Sequence, residues 1–154
     1  MSDVSVELAP FSHDPSEFGR ANRDSIFLIR TCVFHHEQGI DPALEFDGKD
    51  HQAMHLLAYV EAQPVGTVRM REIAPQVAKL ERLAVLSEFR NQGIGRKLTE
   101  SALECLISKK FAQVRLHAQV AVREFYTKLG FIAEGDIFDE AGIPHIKMVK
   151  QISS

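Results

Sequence analysis

Cysteine is scarce in this 154-residue chain, and the two present, Cys32 and Cys105, stand apart with no partner at metal-ligand spacing. That excludes a disulfide-stapled scaffold and a closed zinc site, and both thiols are read as reduced core residues. No stretch approaches the ~20 apolar residues that a membrane-crossing helix needs. The opening MSDVSVELAPFSHDP lacks a basic start and an unbroken apolar core, so it is not read as a secretory signal, and a cytoplasmic location is expected. Nor does one charge dominate: 18 Lys and Arg against 21 Asp and Glu leave −3, which argues against nonspecific nucleic-acid binding. No repeat, low-complexity tract or linker divides the chain. With 45% hydrophobic and 25% charged residues, one domain over residues 1–154 is expected.

Val4-Ser5-Val6-Glu7-Leu8 alternates as a strand does, and Pro10 closes it. From about Ser16 to Glu37, Ile26, Ile29, Cys32 and Val33 share one helix face, with Gly39 as the stop. His55 to Ala62 and Val65 to Ile73 predict a hairpin joined through Gln63-Pro64, and Val77 to Val85 a third strand. Ile94, Leu98, Ala102, Cys105 and Leu106 recur at steps of three and four, which predicts a helix from about Gly93, with Lys109-Lys110 suiting its end. Val114 to Ala118 reads as a strand, and Val122, Phe125, Tyr126 and Leu129 as a helix capped by Gly130. Two strands follow Phe131, broken by Asp139-Glu140-Ala141-Gly142 and resuming at His145. This order predicts a mixed α/β sheet.

The strongest functional signal is the run LERLAVLSEFRNQGIGRKL, from Leu80 to Leu98. An apolar strand end, Leu83-Ala84-Val85, enters a turn with Gly93 and Gly95 and then a helix. Glycine lets the backbone approach a ligand closely, so N–H groups from Arg90 to Gly95 can converge on one anion beside the positive helix start. A pyrophosphate suits such a cradle. Two better-known phosphate motifs are absent. A Walker loop needs a glycine at position 90 and a lysine at 96, where this chain has Arg90 and Arg96; a dinucleotide fingerprint needs a third glycine where Leu98 stands. Alone, Gly-Ile-Gly reads equally well as tight packing of helix on sheet.

What remains, Arg-x-x-Gly-x-Gly between strand and amphipathic helix, resembles the coenzyme A-binding motif of the GNAT acetyltransferase superfamily. Downstream, QVAVREFYTKLGF from Gln119 to Phe131 resembles that family's second signature, Phe-Tyr-x-x-x-Gly-Phe after the fifth strand. The resemblance covers most of the chain from His55 to Val149. It implies a mostly antiparallel sheet of about six to seven strands with a splayed centre, flanked by about four helices. It also implies acetyl-CoA as the donor. Leu83, Ala84 and Val85 would then meet the pantetheine arm, and Arg90, Asn91, Gln92, Gly93, Ile94, Gly95 and Arg96 the pyrophosphate. Gln119, where many members have Asn, and Phe125 would complete the cofactor side. Tyr126 matches the position of a general acid for the leaving thiolate, a role that a phenol with a pKa near ~10 suits. Its alternative is a core tyrosine with a locally bonded hydroxyl.

The acceptor amine must lose a proton, and Glu81 is the candidate, because members often place a carboxylate there that works through water. Alternation puts Glu81 and Leu83 on one face and Arg82 on the other unless a bulge intervenes; both charges read equally well as solvated. The stretch from His35 to His51 is dense in acids and histidines, yet it matches neither a zinc site nor an EF-hand, and no metal is expected. In the superfamily this segment lines the acceptor pocket, which makes Glu37, Asp47, Asp50 and His51 candidates for recognising a cationic substrate; the alternative is a solvated acidic loop. Together with Asp139-Glu140-x-Gly142-Ile143-Pro144-His145, the segment resembles the ElaA and YjcF type of small bacterial GNAT proteins. His145 is a second, weaker candidate base, more readily a turn histidine. The resemblance thus implies an N-acetyltransferase acting on a small-molecule or peptide amine, with no nucleic acid or membrane partner. Sheet-edge dimers are frequent in the family, which allows a homodimer. Two alternatives are a GNAT-fold module that binds acyl-CoA without transfer and a nucleotide-binding switch.

Overall fold

The computed structural model describes residues 3–11 and 17–153. Its strands are β1 (Val4–Leu8), β2 (Met54–Val60), β3 (Gln63–Ala74), β4 (Val77–Val85), β5 (Gln113–Gln119), β6 (Ile132–Glu140) and β7 (Ile143–Gln151). They form one sheet in the order β1-β2-β3-β4-β5-β7-β6, antiparallel throughout except between β4 and β5. The helices are α1 (Glu17–Arg30), α2 (Pro42–Glu45), α3 (Ile94–Ser108) and α4 (Arg123–Lys128). The expected start of α1 at Ser16 lies outside the described residues. A π-helical turn, Thr31–Glu37, extends α1, and Gly39 at φ +66° ends it. The last predicted helix divides into a 3₁₀ turn, Val120–Val122, and α4.

The β2–β3 turn is not at Gln63-Pro64, which belong to β3. Glu61 and Ala62 take φ +50° and +68°, a left-handed pair that matches the twist of a two-residue hairpin and lets Gln63 pair with Val60. The β6–β7 turn is likewise the pair Ala141-Gly142, so β7 begins two residues before His145. Both cysteines are free and half-buried, Cys105 on α3 against the core.

On one sheet face α3 buries Ile94, Leu98, Ala102 and Leu106 against Val68, Leu80, Leu116 and Met148. The approach is close at Gly66, where a Cβ would lie 2.9 Å from Leu98 Cδ1 and 3.2 Å from the Ala84 carbonyl oxygen. On the other face Ile26 and Ile29 of α1 and Val33 of the π-helical turn pack against Leu57 and Ala84. This second face also carries a buried ionic network. Arg30 and Arg69 are both 0% exposed. Arg30 donates to Glu45 and Asp50, each at 2.6 Å; Arg69 donates to Asp47 at 2.7 Å, Asp50 at 3.0 Å and Glu81 at 2.8 Å. Arg71 also holds Glu81, and Arg82 donates to the Glu45 carbonyl at 3.0 Å. The network ties α1, residues 45–50, β3 and β4 into one unit.

Beyond α1 this face is open. Along β5, Val114, Leu116 and Ala118 are buried while Arg115, His117 and Gln119 are half-exposed. Among the described residues, no helix is long and apolar enough to cross a membrane.

Titration of the network has a definite sign. Burial pushes Asp50 and Glu81 up, but the arginines outweigh it and both carboxyls sit below their ordinary values; hydrogen bonds from Arg69 lower Asp47 further. The unfolded chain therefore takes up these protons first, near pH ~4, and stability falls as pH drops through the lower folded-state values. Burial lowers His55 too, so its contribution begins to fall below about pH 6.5. Urea midpoints are expected to drop from pH 7 to pH 3, with a shallower step below pH 4 in Asp47→Asn. Independently, Gly66→Val is expected to reduce the unfolding free energy by about 2 kcal/mol, measured by urea denaturation, because α3 must back away from the sheet.

Candidate functional site

The sheet opens between β4 and β5. Their parallel pairing is confined to Val77 with Gln113, Ala78 with Val114 and Lys79 with Arg115, while β4 runs on to Val85 and β5 to Gln119. A bulge bends β4 just beyond the last pair. Between the pairs Arg69–Glu81 and Thr67–Ala84, β4 takes three steps where β3 takes two, and Arg82 occupies φ +58°. The bulge resets which face each side chain meets. Leu83 and Val85 pack on the α3 side and Ala84 on the α1 side, while Arg82 joins Glu81, its Nη1 3.8 Å from Oε2. Simple alternation, which pairs Glu81 with Leu83, is thereby overturned.

Past Val85, a 3₁₀ turn (Ser87–Phe89) leads to Asn91 at φ +62° and Gly93 at φ +79°, and α3 begins. Among the described residues, nothing accepts from the backbone N–H groups of residues 91–96. Asn91, Gln92 and Gly93 are exposed, so the turn where an anion cradle is expected is open to solvent at the positive end of α3. Arg90 does not point into it: Nε donates to the Val85 carbonyl at 2.9 Å, and both Nη atoms grip Glu37 at 2.7 Å. Arg90 and Glu37 therefore hold the turn in shape. Arg96 stays exposed, 3.4 Å from Glu100 one turn on.

The second motif meets the first here. A Cβ on Gly95 would sit 3.7 Å from Phe125 Cζ and 3.9 Å from Val85 Cγ2, so the start of α3, the end of β4 and α4 share one corner. Tyr126 follows, edge-on to Phe125 at 5.0 Å and to Phe131 at 5.8 Å. Burial pushes its phenol well above the ordinary tyrosine value, and among the described residues its hydroxyl has no hydrogen-bond partner. At the end of β5, Gln119 Nε2 donates to Gln38 Oε1 at 2.9 Å, linking β5 to the residue that ends the π-helical turn.

The structure thus gathers Leu83, Val85, residues 91–96, Gln119, Phe125 and Tyr126 around the open end of β4. Asp47, Asp50 and Glu81 lie instead in the buried network, their charges taken up by arginines. His51 is exposed, its ring edge-on to Phe11 at 5.4 Å. His145 is buried, with Nδ1 donating to the Ile143 carbonyl at 2.7 Å and Nε2 3.5 Å from Glu140.

Sequence reasoning missed His117. Continuing the β4–β5 register two residues past Lys79–Arg115 puts it opposite Glu81, where the strands part. Its Nδ1 donates to Glu140 Oε1 at 2.8 Å, which fixes the ring and leaves Nε2 as the second ring nitrogen. The signal available was its place on the polar side of the alternating run Gln113 to Gln119.

Comparison with known proteins agrees with this geometry. Residues 33–152 match the family model described as an acetyltransferase (GNAT) domain. The uncharacterized protein YyaT of Bacillus subtilis is 41% identical over 128 residues, covering 81% of this chain and 86% of that protein. The uncharacterized N-acetyltransferase YjcF of the same organism is 32% identical, with 80% and 89% covered. ElaA of Escherichia coli is 28% identical over 89% of this chain and 92% of its own length, and its crystal structure superposes with a TM-score of 0.80 over 97% and 99%. The sheet with its single, short parallel pair is the GNAT fold, and the chain belongs to the GNAT acetyltransferase family.

Proposed function

We propose that the protein is an acetyl-CoA-dependent N-acetyltransferase that acetylates a primary amine by direct attack. The observation that carries this reading is the row of N–H groups at residues 91–96 that find no acceptor among the described residues, set at the open end of a strand pair that has parted. The fit to coenzyme A rests on the same features: donors without acceptors for the pyrophosphate, a strand edge at Leu83 and Val85 that no strand pairs on the β5 side, where only the Val85 carbonyl is held, by Arg90, and Phe125 closing over Gly95. Arg96 adds charge at the rim. When bound, acetyl-CoA supplies the acetyl group as an activated thioester.

The chain's own residues position and protonate. Tyr126, a phenol already protonated at neutral pH and pushed further up by burial, holds that proton for the sulfur as negative charge builds there. Glu81, held ionised by Arg69 and Arg71, acts electrostatically and through water on the incoming ammonium. His117, oriented by Glu140 across the opening, is the better proton acceptor. Asp47 and Asp50 serve the acceptor side indirectly, by fixing residues 45–50 on the sheet. Glu37 and Gln38 link that side to the turn and to Gln119.

Tyr126→Phe is expected to reduce kcat by about a hundredfold while the KM for acetyl-CoA changes by less than about twofold, followed by free-thiol release. An unchanged kcat contradicts the acid role. Acyl-CoA binding with no thiol release across a panel of amines and peptides would instead indicate the binding module, and preference for ATP or GTP over coenzyme A a nucleotide switch.

A further inference from the structure

We propose that the acceptor amine also carries an anionic group, a carboxylate or a phosphate, which binds in a basic cleft on the open face of the sheet; this rests on the transfer reading above. The cleft, about 310 Å³, is lined by Arg71, Lys79, Arg115, His117 and Lys147 together with three apolar side chains. Such a volume is within the range of small-ligand sites. Sequence alternation and strand register explain why so many cations meet there: Arg71 lies opposite Lys79, Lys79 beside Arg115, and His117 opposite Lys147, on four adjacent strands.

The charge is only partly balanced locally. Arg71 is anchored by Glu81, which also serves Arg69, and Arg115 is fixed by the Gln113 side-chain oxygen at 2.7 Å with Glu134 3.4 Å away. Glu140 is engaged by His117 and lies near His145. Among the described residues, neither Lys79 nor Lys147 has an ion-pair partner within 4.0 Å. A chain of net charge −3 therefore gathers four Lys and Arg side chains in one hollow, with Glu81 and Glu140 near Lys79 and Glu134 opposite Lys147, and the two ammonium groups make no direct ion pair. The acids that would attract a purely cationic acceptor are held by arginines.

Position ties the cleft to the acceptor and separates it from the coenzyme's phosphates. Lys79 precedes Val85 by six residues, about 20 Å of strand, so the cradle is at the far end of β4. Glu81 and His117 stand at the opening, about 7 Å along the strands from Lys79 and Arg115. An acceptor with its amine at the opening and its anion in the cleft spans that interval.

The test uses matched acceptors: phosphoethanolamine against ethanolamine, and an amino acid against its amide, with acetyl-CoA and the wild-type or Lys79→Gln/Lys147→Gln protein. The charged member of a pair is expected to show at least about tenfold higher kcat/KM. The double variant should erase that preference with the KM for acetyl-CoA unchanged. Equal use of both members, or a preference that survives in the double variant, overturns the proposal. If no acceptor is acetylated, the transfer reading fails separately, and binding decides the cleft by itself. Saturable amide shifts at Lys79, Arg115 and Lys147 with inorganic phosphate or acetate, lost in the double variant, support it; no saturable shift with either anion overturns it.

Discussion

Arg69 is enclosed completely, with three carboxylates around its guanidinium, and the geometry of the site depends on that arrangement. A buried cation is tolerable only when its partners are fixed, and removing one partner of such a set typically costs about 3–5 kcal/mol. Arg69 therefore constrains where Asp47, Asp50 and Glu81 can be. Through Glu81 it sets the last regular position of β4 before the bulge; through Asp50, shared with Arg30, it ties the segment ahead of β2 to α1. Arg82, left-handed at the bulge, completes the clamp by donating to the Glu45 carbonyl. Once β4 is bent there, it no longer follows β5, and the opening between them is a consequence.

The same network decides the sign of charge presented to a substrate. The acidic segment looks, by composition, like a lure for cations. In the folded chain Glu45, Asp47 and Asp50 face arginines, while Asp41 caps α2 and Glu37 grips Arg90 at the surface. Local composition and local potential differ because ion pairs form between residues 15 to 22 positions apart in sequence.

What could be read from the sequence follows that distinction. The turn from Arg90 to Gly95 and the Phe125-Tyr126 helix are local patterns, and the fold they imply is the one observed. Strand alternation located all seven strands to within a few residues. Turns were misplaced where left-handed residues other than glycine form them: Gln63-Pro64 resembles a turn, yet Glu61 and Ala62 make it. Arg30 falls four residues after Ile26, on the apolar face, and Arg69 lies between Val68 and Met70, so each marks a charge inside a core. Their partners, however, are set by strand register and by a bulge at Arg82 that no glycine announces. His117 was invisible as a site residue for the same reason, since only the β4–β5 register puts it opposite Glu81.

The proposed coenzyme A site is the turn after β4 with the strand edge beside it. Backbone amide resonances followed during titration with coenzyme A address it most directly. Saturable shifts are expected at residues 83–85 and 91–96, with the amides of Asp47, Asp50 and Arg69 nearly still. Saturable binding that leaves residues 91–96 unmoved, or no binding at millimolar coenzyme A, would contradict this assignment.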